Sequence, residues 1–289
     1  MTTTTATHRG FWYRHPGLRL GGLLTAPMAW LVVVYLGSLA ALFLTAFYQI
    51  DDFTGQVVQT FTLKNFTTLF TTTAYYQSVL RTISIALLVT VLCLAIALPL
   101  AFFMARVAPR HWRPLMVALV LTPLWASYLV KVYAWRAMLQ PESGVLAWFL
   151  NPLGLDGPGY GFLGIVITLT YLWLPYMILP IYAGLTRLPD SMLDASADLG
   201  AHSGRTFRSV VVPLIFPSVV AGSIFTFSLS LGDYITAQIV GGKVTMLGNV
   251  VQQTYVTNLP FAAAVATLPV IIIVLYLLAV RKSGALENV

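Results

Sequence analysis

The chain has 289 residues, of which 58% are hydrophobic and only 9% charged, against about 25% charged residues in an ordinary soluble domain. With a mean hydropathy of +0.83, this composition excludes a soluble globular protein and points to an integral membrane protein. The formal charge of +7 would suggest nucleic acid in a soluble chain, but no basic, aromatic-interleaved patch is present and no nucleic-acid partner is expected. The lone cysteine, Cys93, sits in an apolar run, so there is no disulfide framework.

Residues 1–19 form a Thr-rich tail carrying His8, Arg9, Arg14, His15 and Arg19. The next run, Leu20 to Ile50, is free of charge over 31 residues, far longer than the apolar core of a signal peptide. A first span is therefore predicted at 23–47, since about twenty apolar residues cross the hydrocarbon core. Asp51 to Gln77 is polar and Thr-rich, with Phe53, Phe61, Phe66 and Phe70 interspersed, which predicts a folded external segment. Further spans are expected at 82–105, 115–135, 162–185, 213–231 and 259–280. Arg106, Arg110, His111 and Arg113 make a basic turn between the second and third, and Trp125, Tyr128, Tyr133 and Trp135 mark the outer end of the third. Residues 137–160 are rich in Gly and Pro and read as a loop. Gly232 to Asn258 is a mixed segment, with a turn at Gly241-Gly242 and an amphipathic stretch from Met246 to Tyr255. Residues 283–289 are a second tail. Pro99, Pro123, Pro175, Pro180, Pro217 and Pro269 all fall inside spans. In lipid, each frees a carbonyl that a neighbour or water must satisfy, which favours kinked helices around a pathway.

Charge asymmetry sets the orientation. The N-terminal tail, the 106–113 turn, the 187–208 segment and the C-terminal end hold eleven basic residues: Arg9, Arg14, Arg19, Arg106, Arg110, Arg113, Arg187, Arg205, Arg208, Arg281 and Lys282. The other side holds five: Lys64, Arg81, Lys131, Arg136 and Lys243. The positive-inside rule places both termini and the 187–208 segment in the cytoplasm.

Most of that segment falls in the stretch from Pro189 to Pro213. Pro189 suits a first helical turn, and Asp190 favours the positive helix end. A helix is expected to Leu199, closed by Gly200 in the left-handed conformation, with a turn at Ser203-Gly204 and a second short helix from about Arg205. The result is a helical elbow on the membrane surface. Asp190, Asp194 and Asp198 recur every four residues and rise along one face, where like charges repel by a few tenths of a kcal/mol each. Such a face wants a basic partner. Met192, Leu193, Ala195 and Leu199 lie on the other side, available to bilayer or helices.

Catalytic chemistry is not legible. Gly241-Gly242-Lys243 is the nearest approach to a phosphate-cradling loop, but Ala237 stands where its first glycine belongs and Val244 replaces the hydroxyl. His8, His15, His111 and His202 lack metal-ligand spacing, and no nucleophile–base set is present. The chain is expected not to be an enzyme and to hold no cofactor. Ionisable residues are nearly absent from the span interiors, unlike the relays of ion-driven transporters, so energy is expected to come from a partner.

Asp194-Ala195-Ser196, three residues, Gly200, nine residues, then Val210-x-Val212-Pro213 resembles the Glu-Ala-Ala coupling loop of ABC importer permeases. It departs from that pattern by Asp at 194, Ser at 196 and Val at 210 and 212. Leu174-Pro175-Tyr176-Met177-Ile178-Leu179-Pro180, Leu231-Gly232-Asp233-Tyr234, Gly241-Gly242 and Met246-Leu247-Gly248-Asn249 are similar to the first permease subunit of spermidine/putrescine importers, a likeness covering about residues 20–282. The resemblance implies an all-α integral membrane permease with six transmembrane helices of the type I importer fold in the bacterial inner membrane. It implies a cytoplasmic ABC ATPase dimer using ATP and Mg, a second permease subunit and an external solute-binding protein. It also implies that Asp190, Asp194, Ala195, Ser196, Asp198, Gly200 and Pro213 serve coupling to the ATPase. For a small organic cation such as a polyamine, Trp125, Tyr128, Asp233 and Tyr234 are the pathway candidates, through a carboxylate and aromatic faces. Other small solutes or iron, or a self-contained secondary transporter, stand as alternatives.

Overall fold

The computed structural model describes residues 16–51 and 53–282 of the chain. Of the two predicted tails, residues 1–15 and 283–289 lie outside this range, and residues 16–19 belong to the first helix.

The first helix comprises α1 (Pro16–Trp30), a π-helical segment (Leu31–Leu36) and α2 (Gly37–Thr45). It carries Pro27 in its interior, and it ends at Thr45, where a span to residue 47 is expected. Only its second half enters the protein: α2 packs against the last helix, while Leu23, Trp30 and Val33 remain 67%, 72% and 69% exposed. The polar segment that follows is folded. Gln49–Ile50 (β1) pairs antiparallel with Val57–Val58 (β2), and α3 (Lys64–Thr71) follows. Asn65 anchors α3 by donating to the carbonyls of Ala46 and Tyr48 at 2.9 and 2.7 Å.

The bundle is built on α4 (Thr73–Phe102), α8 (Phe162–Arg187) and α11 (Val212–Leu231), which pack on one another. A helix satisfies its backbone internally, as the bilayer core demands. Small residues permit close approach. A Cβ at Gly222 of α11 would lie 2.7 Å from Met177 Sδ and 3.2 Å from Met177 Cα on α8, and Gly184 of α8 faces Ser218 in the same manner. The main core contains Ile85, Val89, Cys93, Ile165, Leu169, Met177, Ile181 and Ile215. Helix α4 starts nine residues before the predicted span, so Arg81 is helical and donates to the carbonyl of Thr245. A π-helical segment (Phe103–Val107) continues α4.

The third span departs from expectation. It is two helices, α5 (Arg113–Trp125) and α6 (Tyr128–Met138), bent by 92°. The cause is local: Ala126 and Ser127 are extended, with ψ of 141° and 138°, and Pro123 can offer no N–H to the last turn of α5. Among the described residues, five helices are long and apolar enough to cross a membrane, and six spans result when the bent pair counts as one.

In the 137–160 loop lies a short helix, α7 (Val145–Leu150). Beyond the elbow, α11 leads to α12 (Ile235–Val240) and α13 (Leu247–Thr254), the latter within the predicted amphipathic stretch, with the intervening turn at Gly242. The last helix, α14 (Leu259–Lys282), packs on α2, α3 and α13.

Candidate functional site

The elbow consists of α9 (Asp190–Asp198) and α10 (Ser203–Thr206). Pro189 is the N-cap residue and not the first helical one, with φ −66° and ψ 136°. At the other end Gly200 takes φ +78°. Its N–H donates to Ala197 O at 2.8 Å and that of Ala201 to Ser196 O at 3.1 Å, the pair of bonds that closes a helix through a left-handed residue. The second helix starts at Ser203, two residues earlier than expected, because His202 accepts a bond from Arg205 N on its Nδ1 and caps it. No break precedes Pro213. Helix α10 runs through a π-helical segment (Phe207–Val211) into α11, so Pro213 lies inside a continuous helix, directly after the stretch where the α-helical ladder is already irregular.

The faces of α9 are not distributed as the sequence suggests. Leu193 packs toward the core, while Met192, Ala195 and Leu199 are exposed, Leu199 at 89%. Ser196 Oγ meets Thr206 Oγ1 at 2.9 Å, so the hydroxyl that departs from the Glu-Ala-Ala pattern joins the two elbow helices. Asp190 has a basic partner within the chain, Arg106 at 2.6 Å, whereas Asp194 and Asp198 are exposed and form no ion pair among the described residues.

At the far end of the bundle, Asp233 is buried just beyond α11. Its Oδ1 accepts from Thr236 N at 2.8 Å, and its Oδ2 from Thr236 Oγ1 at 3.1 Å and from the hydroxyl of Tyr128 on α6. Burial pushes its carboxyl above the usual carboxylate range, partly offset by these bonds. No Lys or Arg among the described residues lies within ion-pair distance of it. Asn249 of α13 holds the adjoining bend by donating to Tyr234 O at 2.9 Å, and Gly248 leaves room for the Tyr234 Cβ.

Of the four pathway candidates, the structure brings Tyr128 and Asp233 together. Tyr234 is a chain neighbour, 38% exposed, and Trp125 stands apart at the break in the third span, 91% exposed. Sequence reasoning missed four residues. Thr236 completes the carboxylate's shell. Trp173 stacks on Tyr128 with centroids 6.0 Å apart, and Tyr176 follows at 5.9 Å from Trp173. Phe225 of α11 extends the row, 6.4 Å from Tyr176. The indole N–H of Trp173 is buried without a hydrogen-bond partner among the described residues. A carboxylate at the head of a row of aromatic faces can hold a cation by charge and quadrupole.

Residues 97–282 match the family described as the binding-protein-dependent transport system inner membrane component. The chain is 44% identical over 295 residues to the inner membrane ABC transporter permease protein YdcU of Escherichia coli (strain K12), covering 96% of this chain and 94% of that one. It is 32% identical over 269 residues to the spermidine/putrescine transport system permease protein PotB of the same strain, covering 90% and 96%. Among solved structures it resembles a chain of a bacterial alginate ABC transporter in complex with an alginate pentasaccharide-bound periplasmic protein. There the TM-score is 0.73 at 13% identity, covering 93% of this chain and 94% of that one. A chain of the inward-facing MetNI methionine ABC transporter gives a TM-score of 0.56 at 19% identity, covering 72% and 93%. At these identities the likeness establishes the fold.

Proposed function

Because the chain belongs to the family of binding-protein-dependent transport system inner membrane components, as an inner-membrane ABC importer permease, we propose that it forms half of a pathway for a polyamine. The observation that carries this reading is the buried Asp233, held by Tyr128 and Thr236 and lacking a cationic partner, at the head of the row Tyr128, Trp173, Tyr176 and Phe225. A flexible polycation passing such a row exchanges water for a carboxylate and successive ring faces, which keeps its charge stabilised at each step. The similarity to PotB supports the solute class.

The same reading gives the elbow the role of coupling to a separate cytoplasmic ATPase dimer, which would bind ATP and Mg. Met192, Asp194, Ala195, Asp198 and Leu199 form the exposed face offered to it. The outward side chains of α1, together with the groove between Pro27, Trp30, Leu31, Val34, Tyr35 and Ser38, are apolar surface for lipid and for a second permease subunit. An external binding protein would deliver the solute.

A second reading has its own support. Lys131, one helical turn from Tyr128 on α6, is half-buried, and its ammonium makes no hydrogen bond or ion pair among the described residues. A solute bearing both an ammonium and a carboxylate would satisfy Asp233 and Lys131 together.

The test is uptake of radiolabelled putrescine and spermidine by cells with and without the chain, in a strain lacking other polyamine importers. Competition with an excess of an ω-amino acid is run alongside. Uptake that requires the chain and falls at least roughly tenfold in Asp233→Asn supports the polyamine. Competition by the amino acid that is lost in Lys131→Met supports the zwitterion, and uptake indifferent to the chain removes both.

A further inference from the structure

We infer that Arg106 is a positioning residue that transmits movement of the elbow to the bundle, an inference that rests on the coupling role proposed above. Arg106 lies in the π-helical end of the second span, with its side chain only 16% exposed. Its Nη2 donates to the carbonyls of Leu185 and Leu188 at 2.7 and 2.6 Å, and its Nη1 to Asp190 Oδ1 at 2.6 Å. One guanidinium thus joins three elements: the end of α4, the last turn of α8 and the first turn of α9. Helix ends leave carbonyls without intrahelical partners, and the planar fork of arginine reaches two of them from one nitrogen and a carboxylate from the other, a spread that the single nitrogen of a lysine does not reproduce.

Beside the clamp the contact between elbow and bundle is only partly filled, by Leu193 packed toward the core and by the helical continuity of α10 with α11. A cavity of about 250 Å³ separates them, lined by Phe102, Leu193, Ala197, Thr206, Phe207 and Val211 beside Arg106. Across it the second and fifth spans touch through Phe102 and Phe207, edge to face at 5.7 Å. Each of these rings adjoins a π-helical segment, Phe103–Val107 in one case and Phe207–Val211 in the other. Such segments are local departures from the helical ladder that often mark hinges. An elbow displaced toward the cavity meets little packing on that side, and the hydrogen-bonded link between the end of α4 and the elbow is the Arg106 clamp.

The contributions within the clamp are unequal. Asp190 is 84% exposed in its side chain, where an ion pair is weak. The two carbonyl bonds are part-buried and carry the link. Removing the guanidinium therefore costs far more than removing the Asp190 charge.

The experiment uses the complete transporter in lipid nanodiscs, with Cys93→Ser and a reporter Gln252→Cys in this chain. Gln252 is exposed on α13 and shares a groove with Leu231 at the end of α11 opposite the elbow. Nucleotide is trapped with ATP, Mg²⁺ and vanadate, and the rate of labelling at residue 252 by an impermeant maleimide is measured with and without trapping. The wild type is expected to trap nucleotide and change its labelling rate. Arg106→Gln is expected to trap the same amount of nucleotide with the labelling response reduced roughly tenfold. Arg106→Lys should fall between them. Should Arg106→Gln fail to assemble, Arg106→Lys decides alone. A wild-type response in the assembled arginine variants overturns the inference while leaving the coupling role intact. Absence of nucleotide trapping in the wild type removes the coupling reading and this inference with it.

Discussion

Gly200 N–H meets the carbonyl of Ala197 at 2.8 Å with its own φ at +78°, so the turn of the elbow depends on a left-handed residue between α9 and α10. A Cβ there would meet nothing within 4 Å. The demand for glycine is therefore conformational and not steric. Gly200→Val should strain the turn by roughly 1–2 kcal/mol, with Gly200→Asn milder because asparagine tolerates this region. Hydrogen exchange of the α9 amides measures it: faster exchange is expected in Gly200→Val than in Gly200→Asn, and equal rates would place the constraint elsewhere.

Across that turn, the Ser196 and Thr206 hydroxyls are 2.9 Å apart and part-buried. Ser196→Ala and Thr206→Val should each loosen the elbow by about 0.5–1.5 kcal/mol, since either leaves the other hydroxyl without that bond. In a double-mutant cycle read by the same hydrogen exchange, the pair should be non-additive. Additive effects would mean that the hydroxyls do not act on each other.

Packing of α8 on α11 gives a third expectation. Gly222→Ala introduces a Cβ 2.7 Å from Met177 Sδ, which can swing away, but also 3.2 and 3.3 Å from the Met177 Cα and carbonyl oxygen, which cannot. A cost of about 1–3 kcal/mol follows from overpacking. Met177→Ala in the same background relieves the sulfur clash only, so it should restore little of the thermal stability measured in detergent. Full restoration would show that the backbones have room to separate.

Much of this architecture was readable from local signals. Apolar length located the long helices, and Gly200 and Gly242 were legible because a left-handed residue is a property of the chain at that point. The break at Ala126-Ser127 was not: hydropathy measures how apolar a run is, and neither residue is a helix breaker by type. The continuity of α10 with α11 was missed for the converse reason, since Pro213 reads as a start signal yet is accommodated directly after a π-helical segment. Arg106 read as one cation of a basic turn, and its three partners lie about 80 residues away in sequence, beyond any local pattern. Asp233 and Tyr128 were singled out as residue types, whereas Trp173 and Tyr176 were absorbed into the apolar count of their span. Only the packing of α6 against α8 makes them a row.

The unpartnered indole of Trp173 separates structure from transport. Its Nε1 is buried without a hydrogen-bond partner among the described residues, and such a donor costs roughly 1–3 kcal/mol of desolvation in the resting protein. Trp173→Phe removes the donor and keeps a ring against Tyr128, so thermal stability in detergent should be unchanged or slightly higher despite the smaller ring. If the indole serves only packing, uptake follows stability and is likewise preserved. If the donor meets a polar group during transport, uptake falls several-fold while the protein remains as stable as wild type. Trp173→His, which keeps an N–H on a smaller ring, should then recover part of the loss. A Trp173→Phe variant that is both destabilised and inactive would show that the row is held by indole volume, and would withdraw Trp173 from the pathway.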